Sequence, residues 1–255
     1  MISIVMAYYN RRKLLTETLK SIERSEYKDY EIIVVDDASD ERIDDLEFPS
    51  LRVLRIEPKD KWYHNSCIPF NIGFKEAKGD VVLIQNPECL HVHDVLRYVA
   101  DNITDRNYLS ISAYSMDEDM TNLLPACMLP DYDSFIDMFR RLPQQLANNY
   151  IGWYNHPIYR PVGYHFCCAI TKKNLSILGG FDERYANGTG YEDDDLVDRV
   201  KRFGLELKIV DDVSVIHQWH PRVYDINNPV HKQMFKMNGA LHKKTKREPY
   251  IKVND

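Results

Sequence analysis

Short apolar runs alternate with amphipathic stretches along the first 114 residues. The runs have the length and continuous hydrophobicity of buried strands, and the stretches between them carry apolar residues at helical spacing. This alternation predicts βαβ units, and therefore a mostly parallel central sheet flanked by helices in a single α/β domain. The predicted strands lie at 2–6, 32–35, 53–56, 81–84 and 109–113. The predicted helices lie at 14–22, 70–77 and 95–100.

From 115 to 163 the pattern becomes irregular, with several prolines and many Tyr and Asn residues. Loops of that length are usually functional or disordered. Aromatic residues such as Trp153 and Tyr154 indicate either an ordered binding loop or a small aromatic core. Regular structure then resumes, with strands predicted at 165–171, 205–210 and 213–216 and a short helix at 174–178.

Polar residues follow three of the predicted strands in the first half. They are the segments 7–11, 36–37 and 85–88. Parallel α/β sheets bind ligands outside the carboxyl ends of their strands. We therefore expect these three segments, which are distant in sequence, to meet in one crevice.

Four adjacent carboxylates, Glu192 to Asp195, stand where a helix is predicted to begin. Leu196, Val200 and Phe203 recur at helical spacing after them, and Gly204 is a typical stop. Negative charge is favourable at a helix N-terminus, but capping needs only one of the four. The surplus carboxylates predict a site that holds hydroxyls, a metal ion or a proton in transit.

The composition limits the remaining possibilities. A chain of 255 residues with 44% hydrophobic residues can bury one large core or two small ones. The net charge of −6 argues against a nucleic-acid partner, and we interpret the basic cluster at 243–247 as a solvated tail. The five cysteines lack Cys-x-x-Cys spacing, and no apolar run approaches the ~20 residues of a membrane span. Together with the absence of a basic leader before the first strand, this predicts a cytoplasmic protein without a transmembrane segment.

Three ordered segments resemble the inverting glycosyltransferases of the GT-A fold, particularly family 2. They are Ser3–Arg11, Val34–Asp40 and Asn71–Asp80. The later segments Gly179–Glu183 and Gly190–Leu196 are similar to the carboxy-terminal motif of the galactosyltransferase and N-acetylgalactosaminyltransferase group. The resemblance implies a GT-A, Rossmann-like nucleotide-binding domain at 1–220. Within it, 1–114 would bind the nucleotide sugar and 115–220 the acceptor, with a C-terminal extension at 221–255.

The resemblance also implies a donor site. Tyr9 would lie against the base, and Asp37 would accept a hydrogen bond from a base N–H. A carboxylate is a strong acceptor for the imide N–H of uracil or thymine, whereas cytosine has no donor at that ring nitrogen. We therefore expect a UDP-sugar donor, with a thymidine-linked deoxysugar such as rhamnose as the alternative. The residues expected at this site are Ala7, Tyr9, Arg11, Asp36, Asp37, Asn71 and Asn86.

Two departures from the family concern the diphosphate. The usual Asp-x-Asp metal motif is here Asn86-Pro87-Glu88, which leaves a single carboxylate. The Arg that commonly precedes Asn71 is Phe70, so more charge neutralisation falls on a metal, on Arg11 or on Lys61. We expect Glu88 and His217 to hold a divalent cation, Mn²⁺ before Mg²⁺, with His220 as the alternative histidine.

The acidic run supplies the expected chemistry. Asp193 aligns with the family's catalytic aspartate, which implies a general base that removes the proton of an acceptor hydroxyl. The function expected is transfer of a hexose or N-acetylhexosamine to a saccharide hydroxyl with inversion. A catalytically impaired sugar- or nucleotide-binding relative is the alternative; an oxidoreductase is disfavoured because no Gly-x-Gly-x-x-Gly follows the first strand. The residues expected to contact the acceptor are Glu192, Asp194, Tyr191, Trp153, Tyr154 and His156, with His165 also touching sugar.

Overall fold

A computed structural model describes residues 1–128, 132–221, 224–225 and 227–254. The strands are β1 (Ile2–Tyr8), β2 (Tyr30–Asp37), β3 (Leu51–Ile56), β4 (Val81–Gln85), β5 (Cys89–His91), β6 (Asn107–Ser115), β7 (Gly152–Asn155), β8 (Cys167–Thr171) and β9 (Glu206–His217). The α-helices are α1 (Arg12–Glu23), α2 (Cys67–Glu76), α3 (Val95–Asn102), α4 (Glu118–Met128), α5 (Tyr132–Arg140), α6 (Lys172–Leu178), α7 (Glu192–Phe203) and α8 (Pro229–Thr245).

One sheet holds all nine strands, in the order β3-β2-β1-β4-β8-β6-β9-β5, with β7 paired to β6. Strands β1 to β4 pair in parallel, as the alternation predicts. The second half joins through the antiparallel pair β4–β8, which makes the sheet mixed. Apolar clusters cover both faces of the sheet, one beneath α1 and α3 and the other beneath α2, α6 and α7.

The segment 115–163 is more regular than its sequence predicts. It contains α4, α5 and β7, and Tyr114, Phe139 and Trp153 pack edge to face in a third apolar cluster. Of the two interpretations, the small aromatic core is therefore the one that the structure shows for Trp153. Helix α4 was not predicted because it contains Pro125, and proline normally breaks a helix.

The basic cluster at 243–247, interpreted from the sequence as a solvated tail, lies at the end of a helix within the C-terminal extension. Helix α8 packs beside α7, and the Asn228 side chain caps its N-terminus by accepting from the backbone N–H of Val230. The basic residues expected in the tail occupy the last turn of α8 and the residues after it, where cations are favourable at a helix C-terminus. Farther on, Val253 is buried and its N–H donates to the Leu178 carbonyl.

Within the described residues, no helix has both the length and the hydrophobicity needed to cross a membrane. Cys67, Cys89, Cys167 and Cys168 are buried free thiols, and the side chain of Cys127 lies outside the described part of the chain.

Candidate active site

A cavity of about 640 Å³ opens at the carboxyl ends of β1, β2 and β4, next to the N-terminus of α7. The three polar segments expected to meet in one crevice do so here. They contribute Ala7, Tyr9, Arg11, Asp37, Asn86 and Glu88 to its lining. Helix α7 adds Glu192 and Asp193, so five of the seven expected donor residues share this cavity with the expected base.

At the β2 end of the cavity, Asp37 is held by two donors. The Tyr63 hydroxyl lies 2.6 Å from its Oδ1 and the Lys61 ammonium 2.9 Å from its Oδ2. The Lys61 Nζ also stands 4.5 Å from the centre of the Tyr9 ring, which is 39% exposed. This corner therefore presents an aromatic face, a carboxylate and a cation side by side.

Asp36 and Asn71 do not line this cavity, contrary to their expected donor role. Successive side chains of a strand face opposite sides, so Asp36 points away from Asp37 and pairs with Arg55. Asn71, on α2, accepts from the backbone N–H of Phe181 at 2.9 Å and donates to its carbonyl at 2.8 Å. Asp36 and Asn71 therefore make structural contacts outside this cavity.

Glu88 faces two histidines. Its Oε1 lies 3.4 Å from the Nε2 of His217 and 3.5 Å from the Nε2 of His220, and Arg11 donates to Oε2 at 2.9 Å. Burial alone would raise the pKa of Glu88, but the Arg11 charge and hydrogen bonds from both histidines hold it well below its ordinary value. Gln218, between the histidines, donates its backbone N–H to the Glu88 carbonyl and fixes this turn.

This cluster fits a divalent cation. One ligand atom from each of Glu88, His217 and His220 lies within 4.8 Å of the other two. Arg11 engages only Oε2, which leaves Oε1 directed at the histidines. Two imidazoles with one carboxylate favour a first-row transition metal over Mg²⁺, which prefers oxygen ligands. Both histidines therefore belong to the candidate metal site, where the sequence pointed first to His217 alone.

The acidic run begins α7, as predicted, but its members have different surroundings. Glu192 is buried and accepts from the Asn65 amide at 2.6 Å. Burial, followed by the neighbouring Asp193 charge, raises the pKa of Glu192 above its ordinary value. Asp193 accepts from the backbone N–H of His165 at 3.2 Å, and its Oδ1 also contacts the His165 ring Nδ1.

His165 lies in the cavity wall between the rings of Phe70 and Phe181, each with its centre 5.0 Å away. Burial alone would lower the pKa of His165, but the charge of Asp193 and its hydrogen bond raise it above the ordinary value. The sequence predicted that this histidine touches sugar; the structure places it behind Asp193 as its hydrogen-bond partner.

Asp195, the last carboxylate of the acidic run, has a structural role and does not line the cavity. It forms a buried ion pair with Arg199, with 2.7 Å between Oδ2 and Nε. Arg199 also donates to the carbonyls of Leu178 and Gly180, each at 2.9 Å. The pair thus ties the first turn of α7 to the glycine turn that precedes it.

Most of the expected acceptor contacts lie elsewhere. The Tyr164 hydroxyl donates to Asp194 at 2.8 Å outside the cavity, and the Tyr191 ring packs against Phe235 of α8. Trp153, Tyr154 and His156 are not in the cavity lining either. The Trp153 and His156 rings pack on each other, and Tyr154 packs beside His217. Of the six residues expected there, only Glu192 reaches the cavity.

Sequence reasoning missed several lining residues. Asn65, which holds Glu192, precedes α2 without any recognisable motif. Four more come from the C-terminal extension, where the Asn-Pro pair of 228–229, a typical helix start, was the available signal. These are Tyr224, Val230, His231 and Met234.

Comparison with known proteins identifies the class. The model of glycosyl transferase family 2 matches residues 3–162, more than half of the chain, and that of the N-terminal domain of galactosyltransferase matches residues 161–221. The chain belongs to glycosyl transferase family 2.

Among curated proteins, chondroitin synthase of Escherichia coli is 26% identical over 253 residues, which cover 86% of this chain and 35% of the relative. The uncharacterised glycosyltransferase YwdF of Bacillus subtilis is 37% identical over 84 residues, or 32% of this chain and 31% of the relative. The chain thus spans about a third of the length of these relatives.

Solved glycosyltransferases share the fold. The mannosyltransferase PcManGT of Pyrobaculum calidifontis, in complex with GDP-Man and Mn²⁺, has a TM-score of 0.56 at 18% identity, covering 95% of this chain and 64% of that one. TarS of S. aureus with UDP-GlcNAc has a TM-score of 0.55 at 15% identity, covering 94% and 65%. The catalytic domain of Drosophila β1,4-galactosyltransferase 7 with xylobiose has a TM-score of 0.53 at 13% identity, covering 99% of this chain and 82% of that one. The GT-A fold expected from the sequence is confirmed.

Proposed function

We propose that the protein transfers a hexose or N-acetylhexosamine from a UDP-sugar to a saccharide hydroxyl with inversion at the anomeric carbon. The observation that carries this proposal is the meeting of three groups in one cavity. They are the Asp37 corner, the Glu88 cluster with its two histidines, and Asp193 at the start of α7.

The Asp37 corner suits a uracil base. The Tyr9 ring offers a face for stacking, and Asp37 has the carboxylate acceptor that the imide N–H requires. Thymine presents the same N–H, so a thymidine-linked deoxysugar remains the alternative donor. The complex of TarS with UDP-GlcNAc supports a uracil nucleotide on this fold.

Glu88, His217 and His220 would hold Mn²⁺ next to the donor diphosphate, with Mg²⁺ as the weaker fit. When bound there, the cation neutralises the charge that develops on the leaving phosphate oxygen. Arg11, which borders the cavity beside Glu88, adds positive charge at the same place. The complex of PcManGT with GDP-Man and Mn²⁺ supports the use of a divalent metal on this fold.

Asp193 serves as the general base. As the acceptor oxygen bonds to the anomeric carbon, its proton passes to Asp193, and the bond to the phosphate oxygen breaks with its electron pair leaving on UDP. His165 orients the Asp193 carboxylate through two contacts. Glu192 is the second candidate base, because its raised pKa brings it closer to neutral pH.

A catalytically impaired binding protein is the competing function. Phe70 and Asn86, which depart from the family pattern, both line the cavity, and Glu88 is already paired with Arg11. The position of Asp193 in the cavity favours the enzyme, because a binding protein would have no need for a general base. A reducing, cytoplasmic setting stays a prediction from the sequence.

Release of UDP tests the function directly. We expect the protein with Mn²⁺ to release nucleoside diphosphate from at least one sugar nucleotide in a panel covering UDP-, dTDP- and GDP-linked sugars, when supplied with mixed saccharides as acceptors. Tight UDP binding without turnover of any donor would favour the impaired relative.

Asp37→Ala is expected to weaken UDP binding by about ten- to a hundredfold, because losing a hydrogen bond to a charged group costs roughly 1.5–3 kcal/mol. Calorimetry with UDP and Mn²⁺ measures it. Asp40→Ala is the matched control, since Asp40 is exposed on the same loop. Asp37→Asn, which keeps a partner for Tyr63, covers the case that the alanine variant folds poorly. Wild-type UDP affinity in both folded variants would remove Asp37 from the donor site.

Glu88→Gln and His220→Ala are each expected to reduce Mn²⁺ affinity by at least about 10–100-fold, the loss typical even for residues that only support a metal ligand. The readout is Mn²⁺ binding followed by electron paramagnetic resonance in the presence of UDP. His242→Ala, on α8 outside the cavity lining, is the control. Because ligands of one ion act together, the double variant should lose less than the product of the single effects. If the loss of Mn²⁺ affinity in the double variant equals the product of the two single losses, and UDP binding without metal is equally impaired, the two residues do not share an ion.

A further inference from the structure

Helix α8 lies beyond both family matches, which end at residues 162 and 221, yet it forms one side of the active-site cavity. Tyr224 and three residues in the first two turns of α8 contribute to the lining. We call these four residues the α8 wall: Tyr224, Val230, His231 and Met234.

The α8 wall is fixed to the start of the catalytic helix. The buried Asn238 amide donates to the Gly190 carbonyl at 2.9 Å and to the Tyr185 carbonyl at 3.1 Å. A Cβ added to Gly188 would lie 2.0 Å from the Asn238 side chain, so the two chain segments touch closely. The Tyr191 ring packs on Gly239 from the other side. These contacts tie the middle of α8 to the segment that leads into the catalytic helix α7.

The chemistry of the α8 wall suits a sugar ring. The Tyr224 and His231 rings stack, with centres 5.7 Å apart and planes inclined by 27°, and Met234 and the 62% exposed Val230 add apolar surface. The backbone N–H of Asp225 donates to His231 Nδ1 at 3.0 Å. Nε2 of a neutral His231 therefore carries the hydrogen and is available as a donor. An aromatic and apolar surface with few polar groups is typical of a small-molecule site, and it can pack against the apolar C–H face of a sugar ring.

We propose that the α8 wall is the acceptor subsite, and that it takes a pyranose unit at the end of a glycan. Tyr224 and Met234 pack against the C–H face of that ring, and His231 Nε2–H donates to one of its oxygens. Thr189 and Gly190 connect this wall to Glu192 and Asp193 along the same cavity, so a sugar bound there lies next to the base. The inference rests on the proposed transferase function and names the surface that selects its acceptor.

The test measures glycoside binding in the presence of saturating UDP and Mn²⁺. Saturation-transfer NMR is applied to p-nitrophenyl glycosides of glucose, galactose, N-acetylglucosamine, N-acetylgalactosamine and glucuronic acid. Tyr224→Ala and Met234→Ala are each expected to weaken the best glycoside by about tenfold, as for loss of a buried apolar contact. Their UDP affinity should equal that of the wild type. Met237→Ala is the matched control, because Met237 is exposed and outside the cavity lining.

The outcomes separate this inference from the proposed function. Wild-type glycoside affinity in both folded variants overturns the acceptor subsite, as does a wild-type protein that binds UDP but none of the five glycosides. A parallel loss of UDP affinity in Tyr224→Ala would assign the wall to the donor and overturn it as well. Failure of the wild type to bind UDP contradicts the proposed function; glycoside binding that still depends on Tyr224 and Met234 would then sustain the α8 wall as a sugar site.

Discussion

Asp193→Asn is expected to lower turnover by about 10²–10⁴-fold, the usual contribution of general-base catalysis, while UDP and Mn²⁺ binding stay unchanged. The amide keeps the size of the carboxylate and can still accept the His165 backbone N–H through its oxygen, but it cannot take the acceptor's proton. Turnover should be followed as UDP release with saturating donor, Mn²⁺ and the best acceptor found by screening. UDP affinity of the same variant is measured by calorimetry.

Asp194→Asn is the matched control for this prediction, because the same change is made one residue further along. The Asp194 carboxylate accepts from Tyr164 outside the cavity, so this variant should retain turnover near that of the wild type. Glu192→Gln tests the second candidate base. Near-normal turnover in Asp193→Asn together with collapse in Glu192→Gln would move the base to Glu192, and a loss of UDP binding that explains the inactivity would leave Asp193 without a catalytic role.

The position of the site followed from the sequence because it depends on topology. Alternating strands and helices imply parallel strands, and parallel strands bring their carboxyl ends to one edge of the sheet. Tyr9, Asp37 and Glu88 meet there as expected. The acidic run at the start of a helix also followed from the sequence. Leu196, Val200 and Phe203 recur at helical spacing, and this local pattern predicts the helix without knowledge of tertiary contacts.

The predictions that differ from the structure concern residues whose position depends on side-chain direction or on packing between segments distant in sequence. Asp36 and Asp37 are neighbours in sequence but point to opposite faces of β2, and both were expected at the donor site although only Asp37 faces the cavity. The aromatic residues near Trp153 have the composition of a binding loop, yet they fill a core beneath α4 and α5. Composition alone does not separate the two, because both uses bury aromatic rings.

Helix α8 was missed for a related reason. Its exposed surface mixes basic residues with the apolar Val230, Phe235 and Met237, and of its side chains only Asn238 and Thr245 are buried, so it lacks a clear apolar stripe. Its position depends on single contacts over long sequence distances, such as Asn238 with Gly190 and Tyr185 with Thr245. The sequence alone does not indicate which distant residues will form such contacts.

Arg199→Met is expected to lower the free energy of unfolding by about 3–5 kcal/mol, because it leaves the Asp195 carboxylate buried without its partner. The carbonyls of Leu178 and Gly180 also lose their donors, which loosens the turn leading to the catalytic helix. Urea denaturation followed by fluorescence measures the change. Lys201→Met, on an exposed position of the same helix, is the control and should stay within about 0.5 kcal/mol of the wild type. An Arg199→Met protein as stable as this control would mean that Asp195 becomes protonated or solvated at little cost, and that the acidic run does not depend on Arg199 for its geometry.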